Sequence, residues 1–173
     1  MINRKSFITG LKGTKLSNRE IQFLIKYKPW GVILFSRNLK NTKQIKDLTE
    51  NIRKIFKDKK YPIMIDQEGG RVNRLNELIS LDSLTSEYFG NIYKKDKRKF
   101  NIIYKFFIDK ISYLLSNLGI NINTVPVLDL RYKGSSKIIG DRSYSKDPKI
   151  VSEIGDICIK NFKKNSIATV IKH

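Results

Sequence analysis

The chain has 173 residues, 40% of them hydrophobic and 10% aromatic, which is enough for one domain with a packed core and too apolar for a disordered segment. No run reaches the roughly 18–20 apolar residues of a membrane-spanning helix, and Met1–Gly10 carries charges without the apolar stretch of a secretion signal, so neither a membrane partner nor export is expected. The net charge of +19 fits either a polyanion-binding surface or the Lys, Ile and Asn inflation of an A+T-rich genome; the lysines are scattered rather than gathered into one stripe with aromatics, so nucleic acid is not an expected partner.

The first apolar run, Ser6–Leu11, reads as a strand. Ser17 and Glu20 then form a capping box, and Ile21, Leu24 and Ile25 predict one apolar helix face ending near Lys28. Trp30–Phe35 is a second strand. Asn41 or Thr42 opens a second helix carrying Ile45, Leu48, Ile52, Ile55 and Phe56 at helical spacing. Pro62–Ile65 is a third strand, followed by the charged, glycine-bearing segment Asp66–Arg74. The basic run Lys94–Lys99 reads as a solvated connection. A third helix is predicted from about Arg98 to Leu118, with Phe100, Ile103, Phe107, Ile111, Leu114 and Leu118 as its stripe and Gly119 just beyond its end. Ile122–Leu130 is a fourth strand. Asp147 and Pro148 start a fourth helix, whose inner face of Val151, Ile154, Ile157, Cys158 and Phe162 makes Cys158, the lone cysteine, a core thiol rather than a nucleophile. A disulfide within the chain is impossible, no zinc site is indicated, and a reducing, cytoplasmic setting is expected. Ile167–Ile171 is a fifth strand.

The strand runs are continuous rather than alternating, as in parallel sheets covered on both faces, and their regular alternation with helices predicts an α/β fold. Gly10 and Gly13 do not complete a dinucleotide fingerprint. A closed barrel needs eight strands and about 250 residues. The expected architecture is therefore a TIM-like (β/α) barrel of which about the first five strands and four helices are present, residues 1–173 being one portion of a single domain. Such a piece would expose its interior and an unpaired strand edge.

In such folds the chemistry lies at the C-terminal strand ends. Asp66 and Glu68 follow the third strand, Asp129 closes the fourth, Arg142 lies in the loop beyond it, and Lys172 with His173 ends the fifth. Asp66 and Glu68 read either as a general acid/base pair or as one binding and one structural carboxylate, with Glu68 paired to Arg71 or Arg74. Asp129 reads as a holder of a loop amide or a neighbouring cation.

Five segments together, Gly31-Val-Ile-Leu-Phe-Ser-Arg-Asn38, Ile65-Asp-Gln-Glu-Gly-Gly-Arg-Val72 with Arg74, Val125-Pro-Val-Leu-Asp129, Gly140-Asp-Arg-Ser-Tyr144 with Asp147-Pro148, and Ile171-Lys-His173, resemble the N-terminal half of bacterial β-N-acetylhexosaminidases of glycoside hydrolase family 3. The resemblance implies a barrel enzyme that removes terminal N-acetylglucosamine, typically from peptidoglycan fragments recycled in the cytoplasm, with no metal or organic cofactor. It implies that Asp66, Arg74, Arg142, Lys172 and His173 hold the sugar, Asp66 as a binding group. The acid/base histidine and nucleophilic aspartate of the family would lie beyond His173, so no catalytic residue is expected within these positions and the chain alone is expected to be inactive. A family 3 β-glucosidase, a basic binding module and a gene remnant are the other readings.

Overall fold

The computed structural model describes residues 4–132, 134 and 136–173; the first three residues of the leader reading lie outside them. Five strands form one parallel sheet in sequential order: β1 (Lys5–Gly10), β2 (Pro29–Leu34), β3 (Ile63–Ile65), β4 (Ile122–Asn123) and β5 (Ala168–Thr169). A doubly wound sheet needs a reversal of strand order. Here each crossover steps the same way, which puts the helices on one face and gives the α/β arc of a TIM-like barrel.

Local chemistry sets the helix starts. In α1 (Asn18–Tyr27) the Glu20 amide donates to Ser17 Oγ at 3.3 Å and the Ser17 amide donates to Glu20 Oε2 at 2.9 Å. Asn41 caps α2 (Thr42–Phe56) through the Gln44 amide at 2.9 Å. Asp147 caps α5 (Pro148–Lys164), with Pro148 in the first turn, where its missing N–H costs nothing. Gly119 adopts φ 72° beyond the last turn of α4 (Lys97–Asn117), a conformation that favours glycine.

The main core fills the layer between sheet and helices. Val32, Leu34, Ile63 and Ile65 pack there with Leu24, Ile45, Ile52, Phe100, Ile108, Ile111, Ile154 and Phe162. Strand register gives the opposite face to Ile8, Ile33, Met64 and Ile122. Covering on both faces holds for the middle of the sheet only. At the edges Ile8 is 46% exposed and Val170 41%, and Ile25 of α1, expected inside, is 54% exposed.

Three differences from the sequence reading stand out. An additional helix, α3 (Ser86–Lys95), is capped by Thr85, whose Oγ1 accepts from the Tyr88 amide at 3.0 Å. The Lys94–Lys99 run is consequently not a loop: it crosses from α3 into α4 at Asp96, which ends one helix and caps the other. The fourth strand is regular only over Ile122–Asn123. Pro126, with no N–H to donate, interrupts it, yet the segment still pairs with the fifth, the Lys172 amide donating to Pro126 O at 3.2 Å and the Leu128 amide to Lys172 O at 2.7 Å.

Gly90 explains how α3 docks. A Cβ there would lie 1.8 Å from the carbonyl oxygen of Tyr144, so glycine permits the helix to touch the loop that carries Arg142. Gly90→Ala is expected to destabilise the fold by about 2–4 kcal/mol in urea unfolding, whereas Gly13→Ala, whose Cβ meets nothing within 4 Å, is expected to be near neutral.

Candidate functional site

The segment after β3 is fixed from beneath by amides. Gln67 is 2% exposed and Asn123 is fully buried. The Gln67 amide donates to Asn123 Oδ1, and Asn123 Nδ2 donates to Gln67 O, each at 2.9 Å. Gln67 Nε2 donates to Asn73 Oδ1 at 2.9 Å, while Gln67 Oε1 accepts from the Arg74 and Leu75 amides at 3.1 Å. With these buried polar groups satisfied, the turn between them is rigid. Gly69 sits at φ 101°, where a Cβ would lie 2.3 Å from Leu84 O, and only glycine fits both the angle and the space.

On this base Asp66 and Glu68 face one point. Lys172 Nζ lies 2.9 Å from Asp66 Oδ1 and 2.6 Å from Glu68 Oε1. Arg142 grips Glu68 with two parallel bonds, Nε to Oε2 and Nη2 to Oε1, both at 2.9 Å, the geometry for which a guanidinium is shaped. The Glu68 side chain is 3% exposed. Its partners are thus Arg142 and Lys172, not Arg71 or Arg74 as the spacing proposed. Arg71 instead pairs with Asp141 at 3.1 Å and donates to the carbonyls of Lys137, Ile138 and Ile139. Arg74 reaches Asp66 Oδ2 at 3.5 Å.

Asp129 meets His173, whose Nδ1 is 2.7 Å from Asp129 Oδ2, and His173 Nε2 approaches Arg142 Nη2 at 3.5 Å. Asp66, Arg74, Arg142, Lys172 and His173 therefore gather at the C-terminal end of the sheet. Sequence reading missed Thr124, whose hydroxyl donates to Asp66 Oδ1 and accepts from Lys172 Nζ at 3.2 Å. Its place one residue beyond β4 was the available signal.

The electrostatics follow from these contacts. Burial pushes the Asp66 carboxyl up, but the hydrogen bonds from Thr124 and Lys172 and the charges of Lys172 and Arg74 together outweigh it and leave the carboxyl below its ordinary range. The Arg142 guanidinium is raised, first by its bonds to Glu68, against desolvation, with the Glu68, Asp129 and Asp66 charges adding to the rise. Cys158 is far from this chemistry in character: burial pushes its thiol up to about 12.

A parallel βα sheet with interlocked carboxylates and cations at its C-terminal edge defines the class, a barrel-type α/β domain built to grip a polar ligand at its strand ends. The chain belongs to glycosyl hydrolase family 3, whose N-terminal domain matches residues 5–173. It is similar to a beta-hexosaminidase of Hydrogenovibrio crunogenus, 32% identical over 96% of this chain and 46% of that protein. The crystal structure of NagZ from Neisseria gonorrhoeae in complex with N-trifluoroacetyl-D-glucosamine superposes with a TM-score of 0.88 at 29% identity, over 98% of this chain and 50% of the other. A family 3 beta-N-acetylglucosaminidase from Paenibacillus sp. gives a TM-score of 0.83 at 26% identity, over 96% of this chain and 31% of that one. The chain thus spans about half the length of the curated relatives it matches.

The lowered Asp66 carboxyl has a signed consequence for stability. A depressed native value means that its contribution is complete above the unfolded value, about 4, and is lost as pH falls through the native value. The stability difference between the wild type and Asp66→Asn should be constant above the unfolded value, about 4, and should shift against the wild type as pH falls below it. Urea unfolding of both proteins across the acid range measures this.

Proposed function

We propose that this chain supplies the sugar-binding part of a glycoside hydrolase that removes non-reducing terminal N-acetylglucosamine. The observation that carries the reading is the convergence of Asp66, Arg74, Arg142, Lys172 and His173 at one strand-end site, in a family whose relatives are beta-hexosaminidases. In this proposal Asp66 accepts hydrogen bonds from two ring hydroxyls, and Arg74, Lys172, Arg142 and His173 supply donors for hydroxyls or for the acetamido carbonyl. The lowered Asp66 carboxyl favours binding over proton donation, because a general acid must still hold its proton at the working pH. Glu68, shielded and engaged by two cations, acts by holding them. The substrate class is an N-acetylglucosamine-containing saccharide, and turnover of peptidoglycan fragments in the cytoplasm is the cellular setting the proposal adds.

The test is titration of the isotope-labelled chain with N-acetylglucosamine and, in parallel, glucose, followed by amide NMR. Shifts should cluster around Asp66–Arg74, Thr124 and Lys172, with glucose weaker. Asp66→Ala should lower the affinity by about tenfold or more, the scale of a lost charged hydrogen bond. The absence of sugar-dependent shifts, or equal binding by Asp66→Ala, contradicts the proposal.

A further inference from the structure

Helix α4 turns one face to the core through Phe100, Tyr104, Ile108, Ile111 and Leu115. Its opposite face is not wholly polar. Ile102 is 67% exposed, Phe106 62% and Tyr113 71%, and among the described residues only Ile138, at 71%, joins them as a large hydrophobic side chain more than 60% exposed. Positions 102, 106 and 113 lie within about 40° of one another around a helix and span about 16 Å along it. They form one ridge, which Asp109 borders between Phe106 and Tyr113 by the same projection.

Cations flank the ridge. Arg98 and Lys105 lie to one side, Lys99 and Lys110 to the other, by the same helical projection. Lys110 Nζ stands 5.2 Å from the Phe106 ring. The helix carries five cations and one acid, and that acid, Asp109, is already paired with Lys105 and bonded by Asn165 Nδ2 at 2.8 Å. From the neighbouring α5, Glu153 is taken by Lys97 at 3.2 Å and Asp156 by Lys160. Lys97, Arg98 and Lys99 occupy the first turn, which holds no acidic residue. A helix dipole disfavours cations there; Lys97 is held by Glu153, but among the described residues Arg98 and Lys99 make no ion pair, so the fold does not account for those two.

We propose that the outer face of α4, with the basic run Lys94–Lys99 at its start, docks on an anionic membrane surface. A ridge of three apolar residues on a convex helix is far short of the roughly 20–30 residues that each side of a stable protein interface contributes. It suits a lipid headgroup region, where Ile, Phe and Tyr enter the acyl boundary and Lys stems extend back to the phosphates. The net charge of +19 supplies the long-range attraction to anionic lipid. The absence of a spanning helix among the described residues concerns crossing a bilayer, not lying on one; the sequence reading expected no membrane partner, and the proposal departs from that expectation.

The experiment is co-sedimentation of the full chain with vesicles of phosphatidylcholine alone and of equal parts phosphatidylcholine and phosphatidylglycerol. The wild type should sediment with the anionic vesicles only, and less so at high salt. The variant Ile102→Ser/Phe106→Ser/Tyr113→Ser keeps every charge and changes only exposed side chains, and circular dichroism verifies its fold. Its partition into anionic vesicles should fall about tenfold. Arg98→Glu/Lys99→Glu should weaken binding independently. Equal binding by the ridge variant means that charge alone drives adsorption and overturns the proposal. So does failure of the wild type to sediment, or tight retention on double-stranded DNA with no vesicle binding.

Discussion

Glu68 is a carboxylate taken almost wholly out of water and shared between a guanidinium and an ammonium. A buried carboxylate without partners is strongly unfavourable, whereas one that accepts a bidentate arginine and a lysine is satisfied on both oxygens. The cations come from separate parts of the chain, Arg142 from the loop after β4 and Lys172 from the end of β5. Satisfying this one group therefore ties together three strand-end segments that the sheet, regular for only two residues in β4 and β5, holds loosely.

The tie also sets the character of the site. Lys172 is drawn to Glu68 and in the same position reaches Asp66. Arg142, clamped by Glu68, comes within 3.5 Å of His173, which leans on Asp129. The outer groups are thus oriented before any ligand arrives, the arrangement that limits the ordering cost of binding a hydroxyl-rich molecule. Beneath, Gln67, Asn73 and Asn123 supply a rigid support without adding charge. Gly90 adds the last constraint, since it alone lets α3 touch the carbonyl of Tyr144, two residues from Arg142.

What was legible in the sequence is what depends on neighbours. Ser17 with Glu20, Asn41, and Asp147 with Pro148 mark helix starts through contacts of a few residues. The strand order follows from regular βα alternation. Helix α3 was hidden because it carries a mid-helix glycine, which lowers helix propensity; the reason for that glycine, a close approach to Tyr144, is not local. The site residues were nameable by position at strand ends and by family resemblance, but their pairing was not. Glu68 finds Arg142 across 74 positions and Asp66 finds Lys172 across 106, while the nearer Arg71 is diverted to Asp141 and three carbonyls. The exposed ridge of α4 was half legible: the stripe read from the sequence left Ile102, Phe106 and Tyr113 outside it, but that no other element covers them is seen only in the structure.

The central claim is that Glu68 organises the sugar site without facing the sugar. Glu68→Gln keeps the size and shape of the side chain and removes its charge. The decisive measurement is the affinity of this variant for N-acetylglucosamine by titration calorimetry, with its urea unfolding recorded alongside. The account predicts an affinity loss of about tenfold or more in a protein that still unfolds cooperatively, because Arg142 and Lys172 are released from their positions. Wild-type affinity in a folded Glu68→Gln protein would contradict it.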